Sequence, residues 1–280
     1  MPDPVAYFAQ RAAITLACHD TDAIPKVPDA GKTVTDSDGR RVQIMHNGVR
    51  VLADRYYASG ISDIIAAMRG HHEPQEEKVF HELLKRAAPG STMIELGAYW
   101  SYYSLWFRQA VPNAVNYMVE PEAENLEVGR QNFALNGAEG VFIQARVGAC
   151  DCADTDPPTV SVDGLMARYG LARVEFLHAD IQKHEYAMLQ GACRAFAERR
   201  VRFAFVSTHG GLIHSRCLGF LRRRGYRIVA EHTRYESFSA DGLIVAAVEP
   251  YIPAVAISHR RGARAALKSL AYRCLSHIVH

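Results

Sequence analysis

From Pro89 to Val248 the sequence alternates short, β-branched apolar runs with longer amphipathic ones, and this restricts the chain to an α/β architecture. The strand-like runs are TMIEL, VNYMVE, GVFIQARVG, VEFLHAD, VRFAFVST, YRIVAE and DGLIVAAV. Between the first six lie helical stretches: SYYSLWFRQA, EAENLEVGRQNFALNG closed by Gly137, VDGLMARYG with Asp163 as N-cap, QKHEYAMLQGACRAFAERR and LIHSRCLGFLRRRG. Strands separated by helices pair in parallel through crossovers. The last two have no helix between them and predict an antiparallel hairpin at one sheet edge. The expectation is a doubly wound, seven-stranded, mostly parallel Rossmann-like sheet with a closing hairpin.

The flanks differ from this core. Residues 1–69 are turn-rich, and RVQIMH and VRVLA around Asn47-Gly48 read as a hairpin, because Asn-Gly supplies positive φ angles. This segment predicts an N-terminal cap and not a second complete domain. The core spans 70–250 and opens with a helix after Pro74, with Glu73, Glu76 and Glu77 at its positive end. Residues 251–280 form a basic C-terminal helix with Arg260, Arg261, Arg264, Lys268 and Arg273 and no acid, expected to pack on its own domain.

Composition excludes several classes. With 49% hydrophobic and 22% charged residues the chain can bury an ordinary core, and a net charge of +2 is too balanced to argue for nucleic acid. Cys18, Cys150, Cys152, Cys193, Cys217 and Cys274 are too dispersed for a disulfide scaffold and predict free thiols. The N-terminus lacks the pattern of a signal peptide and no apolar run reaches the length of a membrane span, so a cytoplasmic protein is expected. A homodimer is allowed.

In open α/β sheets, ligands bind at the carboxyl ends of the strands. That rule selects Glu95 to Ser101, Glu120, Asp180 and Ser207 to His209. The stretch MIELGAYWSYYSLWF opens like a nucleotide-binding turn, but after Gly97 it places Tyr99, Trp100 and Ser101 where further glycines are expected. Glu120 ends the next strand 23 residues after Gly97, where an acid grips a ribose diol. Both NAD and S-adenosylmethionine carry such a ribose. The side chains crowd a pyrophosphate, whereas the sulfonium of S-adenosylmethionine tolerates aromatic neighbours. Ser101 is expected to cap the following helix. An NAD-dependent oxidoreductase and a non-catalytic binding protein on the same fold are the rival readings.

The blocks HHEPQEEKVFHELLKRAAPGSTMIELGAYWSYYSLWF, NYMVEPEAENLEVGRQNFALNG and VEFLHADIQKHEYAMLQGA resemble FkbM-type S-adenosylmethionine-dependent methyltransferases. Glu95, Gly97 and Ala98 match the family turn, while Tyr99 and Ser101 depart from it. Glu120, Pro121, Asn125, Asn132 and Asn136 match the middle block. Asp180 and Glu185 match the last, with Gln182 and Lys183 in place of the family's Glu and Gly. The resemblance implies a class I methyltransferase fold, S-adenosylmethionine as cofactor, and O-methylation of a hydroxyl on a sugar, glycan or secondary metabolite. Its cofactor residues would be Glu95, Gly97, Ala98, Tyr99, Trp100, Ser101, Glu120, Asn125 and Asp180.

An alcohol acceptor must lose a proton, and histidine is the natural base near neutral pH. His209 after FVST, His184 one turn past Asp180, and Asp180 itself are the catalytic candidates; His178 is read as an intrastrand residue. His71 and His72 ahead of the entry helix, and His46 and Asn47 in the hairpin, are candidates for acceptor contacts. Asp180 with His209 also suggests a divalent metal. A histidine there suits Mn²⁺, Fe²⁺ or Zn²⁺ better than Mg²⁺.

Overall fold

A computed structural model describes residues 4–56, 59–249, 251–260 and 263–275. Its elements in chain order are α1 (Pro4–Leu16), β1 (Thr33–Thr35), β2 (Arg41–Ile44), β3 (Arg50–Leu52), α2 (Ser59–Ala67), α3 (Pro74–Leu84), β4 (Thr92–Leu96), α4 (Tyr102–Ala110), β5 (Val115–Glu120), α5 (Ala123–Leu135), β6 (Val141–Gln144), β7 (Arg146–Val147), β8 (Thr159–Val160), α6 (Val162–Arg168), β9 (Val174–Ala179), α7 (Glu185–Gly191), α8 (Cys193–Ala197), β10 (Val201–Thr208), α9 (Gly211–Arg223), β11 (Arg227–His232), β12 (Gly242–Ala247) and α10 (Ala263–Leu275).

The seven expected strands form one sheet in the order β11-β12-β10-β9-β4-β5-β6. β6, β5, β4, β9 and β10 run parallel, and β12 is antiparallel to both β10 and β11. The closing hairpin is therefore inserted beside β10, and β12 alone is reversed.

Side-chain alternation along buried strands sends successive residues to opposite faces. Phe176, Phe203 and Phe205 face one cluster with α3 and α4, and residues of the N-terminal segment, Met45, Val51, Ile61 and Ile65, join the same cluster. Leu177, Ala204 and Val206 face the other, with Met188, Phe196 and Leu218 from the later helices.

The cap is tied to the core by two asparagines, Asn132 on α5 and Asn136 at its C-cap. Asn132 accepts from the Leu52 amide at 2.8 Å and donates to the Trp100 carbonyl at 2.9 Å. Asn136 accepts from the Arg50 amide at 2.9 Å and donates to the Arg50 carbonyl at 2.7 Å. These side chains replace a neighbouring strand along β3. That is the structural work of the Asn-x-x-x-Asn spacing.

Local expectations are corrected at three places. Asn47 does not take a positive φ; Gly48 alone does, at 89°, so the β2–β3 turn is not the tight type that Asn-Gly suggests. Ser161 and not Asp163 caps α6, accepting from the Gly164 amide at 3.0 Å, while Asp163 accepts from the amides of Arg194 and Ala195 at the start of α8. The helix expected across 182–200 is broken into α7 and α8. The backbone is packed tightly at the break, where a side chain on Gly191 would meet the Gly148 carbonyl at 2.2 Å. α1 and β1 carried no recognised sequence signal.

α10 packs on its own domain. Ser215 donates to the Tyr272 carbonyl at 2.6 Å, and Arg273 pairs with Glu231 at 2.7 Å and Glu236 at 2.8 Å. Arg260 and Lys268 also lie among the described residues, whereas Arg261 lies outside them and nothing is described of the Arg264 side chain. All six cysteines are free thiols. No helix among the described residues is long and apolar enough to cross a membrane.

Candidate active site

A cavity of about 510 Å³ opens at the carboxyl ends of β4, β5 and β9, where strand order reverses. Glu95, Gly97, Ala98, Tyr99, Trp100, Glu120, Asn125, Asp180 and His184 all line it, and so does His178, which the sequence reading had kept as an intrastrand residue. Ser101, His46, His71, Asn47 and His209 do not belong to the lining.

The β4–α4 turn is held differently from the expectation. Gly97 adopts φ +74°, and a Cβ there would fall 1.9 Å from the Asp180 carbonyl, so the chain leaving β9 already requires glycine here. Ser101 sits at the N-cap of α4 with φ 60° and makes no capping hydrogen bond; its Oγ is wedged against Gly129 of α5. The expected Ser101 cap is replaced by Glu95, which accepts from the Ser104 amide at 3.1 Å. Burial pushes the Glu95 carboxyl up to about 7, against the charge of His178 and the Ser104 hydrogen bond.

Glu120 gathers the other side of the turn. It accepts from the amides of Tyr99 at 3.2 Å and Glu122 at 3.1 Å, and faces the Asn125 amide at 3.4 Å. Three more turn amides are also spent: Gly97 and Ala98 donate to the Val119 carbonyl at 2.8 and 3.0 Å, and Ser101 donates to the Ala98 carbonyl at 2.6 Å.

Aromatic rings form one wall. Tyr56, from the cap, stacks on Trp100 with centroids 4.3 Å apart and planes at 7°, and meets Tyr99 edge-on at 5.1 Å. Tyr56, Glu73, Tyr103 and Arg146 are lining residues that the sequence reading missed. Arg146 follows β6 and was accessible to the strand-end rule. Tyr56 belongs to an irregular segment with no signal of its own.

The floor is a buried polar network built by α3. Glu76 accepts from His178 Nε2 at 2.7 Å and from Ser207 Oγ at 3.0 Å, while His178 Nδ1 has no hydrogen-bond partner. His178 shares a strand face with Glu95, its register partner on β4. Glu77 holds both His71 and His72. Burial disfavours the His72 cation, but Glu73 and Glu77 overcome it and raise His72 to about 10. The acids read as helix-dipole partners on the sequence are therefore interior anchors for histidines.

Of the four histidine and asparagine candidates in the cap and entry segment, His72 alone reaches the cavity. Asn47 accepts from the Val49 amide at 3.1 Å within its own turn. His46 bonds Tyr102 Oη at 2.9 Å, and burial and His71 push it down to about 3. His46, His71 and Glu77 bring possible ligand atoms within 4.8 Å, yet the two rings stack at 4.2 Å and 19°. Their in-plane lone pairs run side by side instead of converging on an ion.

His209 lies behind Asp180. Its Nδ1 is 2.6 Å from Glu185 Oε1, and its Nε2 is 3.3 Å from Asp180 Oδ1 and 3.3 Å from Asp241 Oδ1. Burial opposes its cation, but the Glu185 hydrogen bond and the Asp241 and Asp180 charges raise it to about 9. His184 is exposed on the rim, after Gln182 and Lys183, which take φ 49° and 81°.

The strand order with a single reversed strand beside β10 defines a class I, Rossmann-like methyltransferase fold. The sequence model of the family described as "Methyltransferase FkbM domain" matches residues 151–228, the segment from β8 into β11 that carries Asp180, Glu185 and His209. Over that segment the chain is similar to FkbM methyltransferases. Among solved structures, the METTL16 MTase domain is 12% identical with a TM-score of 0.47, covering 88% of this chain and 92% of that one. TrmK of M. capricolum, in complex with S-adenosyl-homocysteine, is 11% identical with a TM-score of 0.40, covering 66% and 71%. Precorrin-6y C5,15-methyltransferase from Geobacter metallireducens GS-15 is 14% identical with a TM-score of 0.41, covering 61% and 88%. No curated protein sequence matches the chain.

Proposed function

We propose that this protein is an S-adenosylmethionine-dependent methyltransferase acting on a hydroxyl of a sugar, glycan or secondary metabolite. The observation that carries the choice of cofactor is the state of the turn. A pyrophosphate needs free amides in a glycine-rich loop, and the amides of Gly97, Ala98, Tyr99 and Ser101 are already donated within the protein. The missing glycines thus matter less through bulk than through the spent donors. Glu120 still offers a carboxylate at the end of β5, where a ribose diol would be held.

The lining is also acidic, with Glu73, Glu95, Glu120, Glu122 and Asp180 against Arg146 and three histidines. That balance suits a cofactor bearing a sulfonium and an ammonium group, and it disfavours an anionic acceptor. When bound, S-adenosylmethionine supplies an electrophilic methyl on a good leaving group. The protein's share is to align the acceptor and exclude water, worth about 7–11 kcal/mol in favourable cases. Tyr56, Tyr99 and Trp100 close the wall against solvent.

His178 is the residue we assign to receive the hydroxyl proton, at Nδ1. Glu76 fixes the ring through Nε2, which leaves Nδ1 unspent, the arrangement a positioned base requires. His209, one of the base candidates from the sequence, has both nitrogens facing carboxylates. A readout on tritiated S-adenosylmethionine tests the hydroxyl reading, with neutral sugars, phenols and matching amines as acceptors. Transfer to amines with none to hydroxyls would overturn it. Calorimetry tests the cofactor: heat with S-adenosylhomocysteine and none with NADH is expected, and the reverse pattern would restore the oxidoreductase.

A further inference from the structure

The face that α10 turns outward is more apolar than the one it turns inward. At helical spacing Leu267, Leu270, Ala271 and Cys274 share one stripe, and all four are exposed, Leu267 by 70% and Leu270 by 60%. The opposite stripe is polar and holds the helix down. Ser269 is fully buried with its Oγ 2.6 Å from Thr233 Oγ1, and Arg273 pairs with Glu231 at 2.7 Å and Glu236 at 2.8 Å. A helix lying on a globular surface normally buries its leucines and shows its charges to water. Here the ion pairs lie beneath and the leucines outside, the mark of a contact surface.

We infer that α10 docks this protein on an anionic membrane surface, with the leucine stripe entering the headgroup boundary and the cations beside it meeting lipid phosphates. The charge around the stripe selects that occupant. After Glu249 the sequence has no acid, but it has Arg260, Arg261, Arg264, Lys268 and Arg273. Lys268 is exposed, its Nζ 4.8 Å from the centroid of the Tyr235 ring, and neither it nor Arg260 forms an ion pair among the described residues. Arg234, exposed beside Tyr235, adds a third cation, and Tyr235 faces Tyr272 of α10 with centroids 6.2 Å apart and planes at 2°. A second copy fits this face poorly. An isologous contact would set leucine on leucine but would bring the same cations together, and Glu231 and Glu236 are held under the helix by Arg273. An anionic bilayer answers both features, with acyl chains for the leucines and phosphate for the cations.

The helix also borders the cavity's side of the molecule. Tyr272 covers the start of α9, where a Cβ on Gly211 would fall 2.1 Å from its ring, and α9 begins directly beyond the carboxyl end of β10. Leu212, the next residue, is 48% exposed. This end of α10 therefore sits at the carboxyl edge of the sheet, the edge on which the cavity opens. Docking there holds that edge toward the bilayer. It requires no particular cofactor and stands apart from the methyl-transfer reading.

The test is co-sedimentation of the full-length protein with phosphatidylcholine vesicles, with and without phosphatidylglycerol. Binding should be about tenfold or more tighter with phosphatidylglycerol, and should weaken as salt is raised. Leu267→Ser combined with Leu270→Ser should weaken it about tenfold or more while the protein melts with the wild type, since both side chains face solvent. Lys268→Gln should weaken it by about fivefold. Failure of the wild type to bind phosphatidylglycerol vesicles overturns the proposal without any variant. So does equal binding to both kinds of vesicle, or undiminished binding by the double leucine variant. Sedimentation equilibrium supplies the remaining outcome: a wild-type dimer that the leucine substitutions dissociate would assign the face to a second copy and overturn membrane docking.

Discussion

Replacing Glu120 by alanine separates two jobs that one carboxylate performs. In the protein alone it ties down the β4–α4 turn, through the Tyr99 amide at 3.2 Å and the Glu122 amide at 3.1 Å. The Glu122 amide borders an exposed residue and can return to water at small cost, whereas the half-buried Tyr99 amide is left unpaired. An unsatisfied donor costs about 1–3 kcal/mol, so the variant should lose about 2 kcal/mol. For a chain of this length that corresponds to a fall in Tm of about 3–4 °C. With the cofactor, loss of the ribose contacts should add about 2 kcal/mol, roughly a thirtyfold rise in the Kd for S-adenosylhomocysteine. Differential scanning calorimetry and titration calorimetry read the two effects separately. Glu120→Gln, which keeps one acceptor oxygen, should recover about half of the stability loss. An alanine variant that melts with the wild type would refute the turn-holding role. Unchanged affinity would move the ribose contact elsewhere.

Gly97→Ala should cost about 3 kcal/mol or more, because its Cβ meets the Asp180 carbonyl at 1.9 Å in a left-handed backbone; an unperturbed melt would contradict that packing. Asn132→Ala strands the buried Leu52 amide and the Trp100 carbonyl, and denaturant unfolding should show a loss of about 2–4 kcal/mol. Lys183→Gly should gain about 0.5–1 kcal/mol by relieving φ 81°, a small rise in Tm that a neutral or lower value would dispute. Glu231 carries an acid dependence. Burial raises its pKa, but hydrogen bonds from His214 and Arg273 win and hold it at about 2, below its ordinary 4.5. The folded-state pKa is depressed, so the stabilisation is complete above about pH 4.5 and disappears as pH falls toward about 2. Urea melts across that window should show a steeper decline for the wild type than for Glu231→Gln, and equal slopes would remove Glu231 from the acid response.

The strands were legible because each is short, apolar and bounded by turn residues, and that local pattern survives any tertiary arrangement. Ends of helices were less so. Ser101 and Asp163 both have capping chemistry, but a cap depends on which polar group actually reaches the free amides, and Glu95 and Ser161 reach them instead. The strand-end rule placed Glu95, Glu120 and Asp180 around one cavity, since in a parallel sheet carboxyl ends share an edge. It could not see Tyr56 or Glu73, which arrive from segments outside the sheet. Nor could it rank the histidines: His209 and His178 both sit near strand ends, and only their carboxylate partners distinguish a ring facing three acids from one with an unspent nitrogen.

By itself the sequence determined the sheet, its hairpin closure, the position of the cavity and the acid that ends β5, because those follow from periodicity along the chain. Tertiary structure decided what each polar residue does. Glu76 and His178 are 102 residues apart in the chain, and Asn132 meets Leu52 across 80. Such pairings leave no periodic trace, since a hydrogen bond depends on distance and direction in space, and contacts this far apart in the chain are fixed only when the layers pack.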